Sequence, residues 1–169
     1  ASVIALDPDT GKLKWHFQFT PHDVNDYDAT ETPVLVDMNF KGEPRKLLLQ
    51  ANRNGFMYVL DRITGRYLQS KQFALTQNWA KGIDENGRPI RTDLQPTKEG
   101  TRMCPSYSGG TNWYSPTWNE VTHLFYFLSL DDCSVFKSVT QDFEEGKTYY
   151  STGAAHMPDE NARKFLMAY

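Results

Sequence analysis

The sequence predicts an all-β protein of short antiparallel strands, and three observations predict it. Aromatic residues reach 14% of the 169-residue chain, and 9 Pro and 11 Gly are spread along it, a composition of strands and turns. The apolar runs are short, rich in branched and aromatic residues, and bounded by turn chemistry. One unit also repeats. Ala5-Leu6-Asp7-Pro8-Asp9-Thr10-Gly11-Lys12 matches Val59-Leu60-Asp61-Arg62-Ile63-Thr64-Gly65-Arg66, with the two aspartates 54 residues apart. In each copy an apolar strand end meets an Asp that accepts backbone N–H bonds, and a Gly supplies positive φ before the next strand. The chain's last residues, Met167-Ala168-Tyr169, resemble the strand end before a third such Asp. A period near 50 residues made of strands marks a β-propeller with one four-stranded antiparallel blade per repeat. On that period, the chain holds roughly two to three blades.

In chain order, strands are expected at 3–6, 13–19, 33–37, 46–51, 56–61 and 67–72, where branched and aromatic residues cluster. Asn54-Gly55 between the fourth and fifth signals a tight hairpin. Residues 74–111 break the rhythm with Asn86-Gly87, Pro89, Pro96, Gly100 and Pro105 and read as a long loop. Strands resume at 114–117, 124–130 and 134–139, and 140–163 reads as a further insertion. Trp15, four residues after Gly11, is expected to dock between neighbouring blades, its N–H bonded to backbone. The second copy carries Gln69 at that distance, so its docking tryptophan is lost.

A net charge of −3 without a basic run argues against a nucleic-acid partner. No apolar run approaches the roughly 18 residues of a membrane helix. The chain lacks an initiator Met and stops inside the apolar run Lys164–Tyr169, so a fragment of a longer protein, truncated at both ends, is expected. Two cysteines, Cys104 and Cys133, suit either one disulfide in an exported protein or two buried thiols.

Chemistry concentrates in Pro21-His22-Asp23-Val24-Asn25-Asp26-Tyr27-Asp28, three carboxylates in six residues. Residues i and i+2 of an extended segment face one side, so Asp26 and Asp28 can converge. Converging carboxylates repel unless a proton or cation lies between them, which suggests a hard-cation site in which one carboxylate also serves as a base. A solvated acidic loop is the bland alternative. Arg53, at the mouth of the Asn54-Gly55 hairpin, is either a surface residue or a bidentate anchor for a cofactor carbonyl or carboxylate. Ser108-Gly109-Gly110-Thr111-Asn112-Trp113 offers paired glycines for close backbone approach, an amide and a flat aromatic face; a tight turn is the equal alternative. The four histidines show no metal-ligand spacing: His16 is expected in strand packing, His123 in a turn and His22 as a scaffold hydrogen-bonder.

Together the Asp-x-x-Thr-Gly-Lys-x-x-x-Trp repeat ending at Trp15, PHDVNDYDA, NRNGFMYVLDR and GGTNW, in that order, resemble the quinoprotein alcohol dehydrogenases. These are pyrroloquinoline quinone (PQQ) enzymes built on an eight-bladed propeller, and the resemblance spans essentially the whole chain. It implies a periplasmic enzyme that oxidises a small primary alcohol to aldehyde by hydride transfer to metal-bound PQQ, with a cytochrome c as acceptor, and leaves room for homo-oligomers of the full-length protein. By this resemblance Asp26 is the catalytic carboxylate and a metal ligand. Arg53, Asn112 and Trp113 are cofactor-binding residues, and Cys104 and Cys133 form a disulfide. Lanthanide-dependent members carry Asp two residues after the catalytic Asp, where calcium-dependent members carry a small or neutral residue. Asp28 therefore implies a lanthanide(III), with Ca2+ the alternative; a trivalent ion needs one more negative ligand. The family's other metal ligands, its adjacent-cysteine ring and the Trp beneath the cofactor have no match here, and Val24-Asn25 replaces the usual pair before the catalytic Asp. A calcium-dependent PQQ enzyme for other alcohols or sugars, and a non-catalytic propeller scaffold of outer-membrane assembly, are the rival readings.

Overall fold

The computed structural model of the chain describes residues 1–150, 152–156 and 162–169. Every regular element among them is a strand: β1 Ser2–Leu6, β2 Leu13–Gln18, β3 Val34–Phe40, β4 Glu43–Ala51, β5 Phe56–Asp61, β6 Tyr67–Gln72, β7 Ala80–Ile83, β8 Pro89–Arg91, β9 Thr101–Met103, β10 Thr117–Asn119, β11 Leu124–Asp131, β12 Ser134–Ser138, β13 Thr152–His156 and β14 Arg163–Ala168. One complete four-stranded antiparallel blade, β3-β4-β5-β6, stands between a two-stranded sheet, β1-β2, and a three-stranded one, β10-β11-β14. The hairpin β7-β8 and the sheet β13-β12-β9 are additional.

The repeat closes identically in both copies. Asp7 Oδ1 accepts the amides of Asp9 (3.2 Å) and Thr10 (3.0 Å) and the Thr10 hydroxyl (2.9 Å). Asp61 Oδ1 accepts those of Ile63 and Thr64 and the Thr64 hydroxyl, each at 3.0 Å. Each turn follows a register shift at the strand end, between Ala5 and Leu6 and between Val59 and Leu60. β14 occupies the matching place in the third sheet, pairing with β11 as β5 pairs with β4.

Residues 47–60 are buried without interruption. Alternation explains this, because the middle blade is covered on both faces. Leu48, Phe56, Tyr58 and Leu60 join Phe17 and Phe19 in one cluster. Leu47, Leu49, Met57 and Val59 join Phe125 and Phe127 in the other. Trp15 docks across the first seam: its Nε1 donates to the Arg62 carbonyl at 3.1 Å, and its ring lies where a Cβ on Gly65 would come within 2.6 Å. At the second seam the exposed Gln69 borders an apolar cavity of about 280 Å³, with Leu49, Trp118 and Tyr169 among its walls.

Four expectations need correction. The segment 74–111 is not one loop: β7 and β8 form a hairpin around Asn86-Gly87, and β9 pairs with β12. The strand expected at 114–117 begins only at Thr117, because Pro116 has no N–H to give a ladder. The insertion 140–163 contains β13, although Ser151 and residues 157–161 lie outside the described residues. His16 is exposed rather than packed; Phe17 beside it takes the buried side of the strand.

Candidate functional site

The acidic loop leaves β2 and crosses to β3 through residues 19–33, and a single buried ring fixes its orientation. Tyr27 is fully buried, and its hydroxyl donates to the Pro105 carbonyl at 2.5 Å. With Tyr27 turned inward, Asp26 and Asp28 on either side turn outward together, as the i, i+2 alternation requires. Asp26 adopts φ +63°, a left-handed conformation that Asp tolerates better than most residues. Asp23 accepts the Asn25 amide at 2.9 Å and so shapes the loop. The His22 carbonyl accepts Arg91 Nη1 at 3.0 Å, tying the loop to β8.

Both outward carboxylates face Arg53. Its Nη2 lies 3.4 Å from Asp26 Oδ2 and its Nη1 4.0 Å from Asp28 Oδ2. Nη2 also donates to the Tyr107 carbonyl. The hairpin tip that carries Arg53 is itself buried. Asn54 Nδ2 donates to the Phe19 carbonyl, Thr20 Oγ1 and Tyr58 Oη, while its Oδ1 accepts the Phe56 amide. Arg53 is 7% exposed, which excludes the surface reading, and its Nε has no partner. A buried guanidinium donor without an acceptor is an unmet demand that a polar ligand satisfies.

Residues 104–111 cover the arginine. The Gly110 amide donates to the Arg53 carbonyl at 2.7 Å, and a Cβ on Gly109 (φ +82°) would fall 2.6 Å from Arg53 Cβ. The paired glycines thus spend their freedom on Arg53 rather than on an open face. A disulfide between Cys104 and Cys133 joins the end of β9 to the start of β12 and anchors this segment. Asn112 is not in direct contact with the acidic pair. Its Nδ2 donates to the Ser108 carbonyl at 2.8 Å, and its Oδ1 accepts the Trp113 amide at 2.8 Å. Trp113 is 72% exposed. The structure therefore brings Asp26, Asp28 and Arg53 together, and links Asn112 and Trp113 to them through the 104–113 segment.

Electrostatics follow from this packing. Burial pushes the Asp26 carboxyl above its usual range, the Arg53 charge pulls it back, and the Asp28 charge pushes it up again. Glu31, three residues beyond Asp28, is 4% exposed and both its carboxyl oxygens lack hydrogen-bond partners. Burial raises it to about 7, opposed by nearby backbone amides, the Arg53 charge and the Gln50 amide. Sequence reading missed Glu31, Tyr27 and the Tyr107 carbonyl. Tyr27 had a signal, an aromatic residue alternating between two carboxylates; a carbonyl has none.

Among the described residues, no group of three or more His, Cys, Asp or Glu side chains could hold a metal. Asp26 and Asp28 supply hard oxygen donors of the right charge for a calcium-like or lanthanide ion, but only part of the six to eight oxygens such a cation takes.

The sequence profile of the glucose/ethanol/alcohol dehydrogenase β-propeller domain, a PQQ domain, matches residues 1–71. The chain is 43% identical over 129 residues to the quinohemoprotein alcohol dehydrogenase of Comamonas testosteroni, covering 75% of this chain and 18% of that protein. The chain belongs to the PQQ-dependent alcohol dehydrogenase family. Within that family it is also 36% identical over 152 residues to the lanthanide-dependent methanol dehydrogenase of Methylacidiphilum fumariolicum strain SolV, covering 88% of this chain and 25% of that protein. It superposes on a europium-containing methanol dehydrogenase with a TM-score of 0.88 at 32% identity, over 99% of this chain and 30% of the other. The chain thus spans about a fifth to a quarter of the curated relatives' length. The sheets described above are blades of a PQQ-dehydrogenase propeller.

Proposed function

We propose that this chain supplies one wall of the active site of a periplasmic PQQ-dependent dehydrogenase. The enzyme oxidises a primary alcohol to its aldehyde and passes electrons to a cytochrome c. The observation that carries the reading is the convergence of Asp26 and Asp28 on the buried Arg53, whose Nε is left without an acceptor. When bound, PQQ supplies the two-electron acceptor and the metal ion the Lewis acid.

Asp26 is the base that takes the substrate hydroxyl proton. Its raised affinity for a proton suits that task, and the adjacent guanidinium keeps it ionised before substrate arrives. Asp28 adds the second carboxylate charge that favours a trivalent ion over calcium. Arg53 orients both carboxylates through its two Nη atoms, and its unpartnered Nε would be the donor that helps to hold the quinone. Asn112 and Trp113 lie on the segment that covers Arg53 and are assigned to the cofactor's edge. The name of the Comamonas relative pairs a haem with the quinone in that protein, which supports a cytochrome-linked acceptor. The disulfide supports an oxidising compartment.

The test uses the full-length protein reconstituted with PQQ and either La3+ or Ca2+, scored by dye-linked alcohol oxidation. Asp26→Asn is expected to lower kcat at least a hundredfold while the bound-quinone absorbance persists. Retained turnover would refute Asp26 as the base. Asp28→Ala is expected to abolish La3+-supported activity; equal Ca2+-supported activity, unchanged by that substitution, assigns the site to calcium.

A further inference from the structure

Glu31 has no part in the chemistry assigned above, yet it is packed into the same corner of the fold as Arg53. Among the described residues, five of the nine buried side-chain nitrogen and oxygen atoms without a hydrogen-bond partner belong to four residues: both carboxyl oxygens of Glu31, Gln50 Oε1, Asn52 Nδ2 and Arg53 Nε. These residues come from the acidic loop and the β4-β5 hairpin, and each is at most 7% exposed. Gln50 Nε2 donates to the Glu31 backbone carbonyl at 3.2 Å, which pins this turn of the loop to β4. The Arg53 charge and the Arg53 backbone amide both bear on the Glu31 carboxyl, short of a formed hydrogen bond. Three acids therefore share one guanidinium: Asp26 and Asp28 at its Nη atoms, and Glu31 through its charge. From β4 Glu31 meets Gln50, a neutral amide. Tyr58, opposite Gln50 on β5, and Tyr27 of the same loop are phenols that burial pushes up and keeps neutral. An amide side chain would fill the place of Glu31 without an ionisable group, and departures of this kind gather at functional sites.

We propose that Glu31 is a positioning residue of the site: acting through Arg53, its carboxyl sets how strongly the guanidinium holds the quinone, strongly when neutral and weakly when ionised. This rests on the PQQ reading and deepens it. The reason is charge. PQQ is a polycarboxylate, so an ionised Glu31 competes for the Arg53 charge and repels the ligand across a poorly screened interior. A neutral Glu31 leaves Arg53 with Asp26 and Asp28 alone, whose charge the metal ion balances. Burial keeps the proton on Glu31 up to about pH 7, against the pull of its own backbone amide and of Arg53. Quinone binding therefore favours the protonated form and takes up a proton, and affinity falls as pH rises through that value.

The test titrates the full-length, metal-loaded apo-protein with PQQ at pH 6 and pH 8, followed by quenching of tryptophan fluorescence. Wild-type affinity is expected to fall about tenfold between the two, as the neutral fraction of a group near pH 7 does. In Glu31→Gln, an isostere that is neutral at both, the affinity is expected to change by less than about twofold. Calorimetry at pH 7 in two buffers of different ionisation enthalpy is expected to show about half a proton taken up per quinone by the wild type, and none by the variant. A residue that only packs would shift the affinity of Glu31→Gln equally at both pH values and leave the proton uptake as it was. Equal pH dependence in the two proteins overturns the proposal, and so does a wild type that binds PQQ without taking up a proton; in both cases the PQQ reading stands. A wild type that binds no PQQ at either pH overturns that reading and this inference together.

Discussion

Glu31 shows what a single residue pays for its place behind the site. Its carboxyl is buried, without partners, and raised to about 7. Between the ordinary carboxylate range and that value the folded protein keeps a proton that the unfolded chain gives up. Stability therefore falls as pH rises through the window, and the loss is complete above it. The cost is about 3 kcal/mol. Glu31→Gln replaces the acid by a neutral isostere, so denaturant midpoints of the full-length protein at pH 5 and pH 8 should converge in the variant and diverge in the wild type. Midpoints that diverge equally in both would refute the burial argument. Asp131 behaves oppositely. Burial would raise it, but Arg163 and Thr76 outweigh that and hold it below the usual range. Its contribution is present at neutral pH and is lost as pH falls through that lowered value.

At the scale of elements, the two blade seams differ by one side chain. Trp15 spans the first, whereas Gln69 faces a cavity at the second. Trp15→Ala should destabilise the full-length protein by about 2–3 kcal/mol, since the ring is half-buried and its N–H is bonded. Gln69→Ala should change stability by less than about 0.5 kcal/mol. Chemical denaturation measures both, and equal effects would remove the distinction. These elements were legible to different degrees. The Asp-to-Gly turns and strands β1 to β6 are local: their signals lie within a few residues of the bonds they make. Strands β7, β8 and β9 have three or four residues each, and β9 finds its partner β12 across some thirty positions, so no local pattern marks it. The pairing of Asp26 with Asp28 could be read from alternation about Tyr27. For Arg53 the local sequence left a surface residue and a cofactor anchor both open, because burial of a hairpin tip depends on Phe19, Thr20 and Tyr58, distant or facing residues that bond Asn54.

For the whole molecule, one covalent link governs how the parts of the site stay in register. Cys104–Cys133 closes a separation of 29 residues, worth about 3.5 kcal/mol by loop-closure entropy. The segment it anchors presents the Pro105 carbonyl to Tyr27 and the Tyr107 carbonyl to Arg53. The Cys104→Ser/Cys133→Ser protein should lose roughly that stability in denaturant unfolding, and it should release bound quinone faster than the wild type on gel filtration. Unchanged retention would separate the disulfide from the site.

The left-handed backbone at Asp26 has a consequence for descent. Asn and Gly are the substitutions that rest easily there; a Glu, with the same carboxyl one methylene further out, carries the torsional penalty of an ordinary side chain. The carboxylate proposed as the base is therefore replaced by its nearest chemical relative only under strain, yet it can be lost to Asn or Gly at little cost to folding. On the role proposed for Asp26, a lineage bearing either residue would keep an intact propeller without that base, and the two would stand one nucleotide change apart.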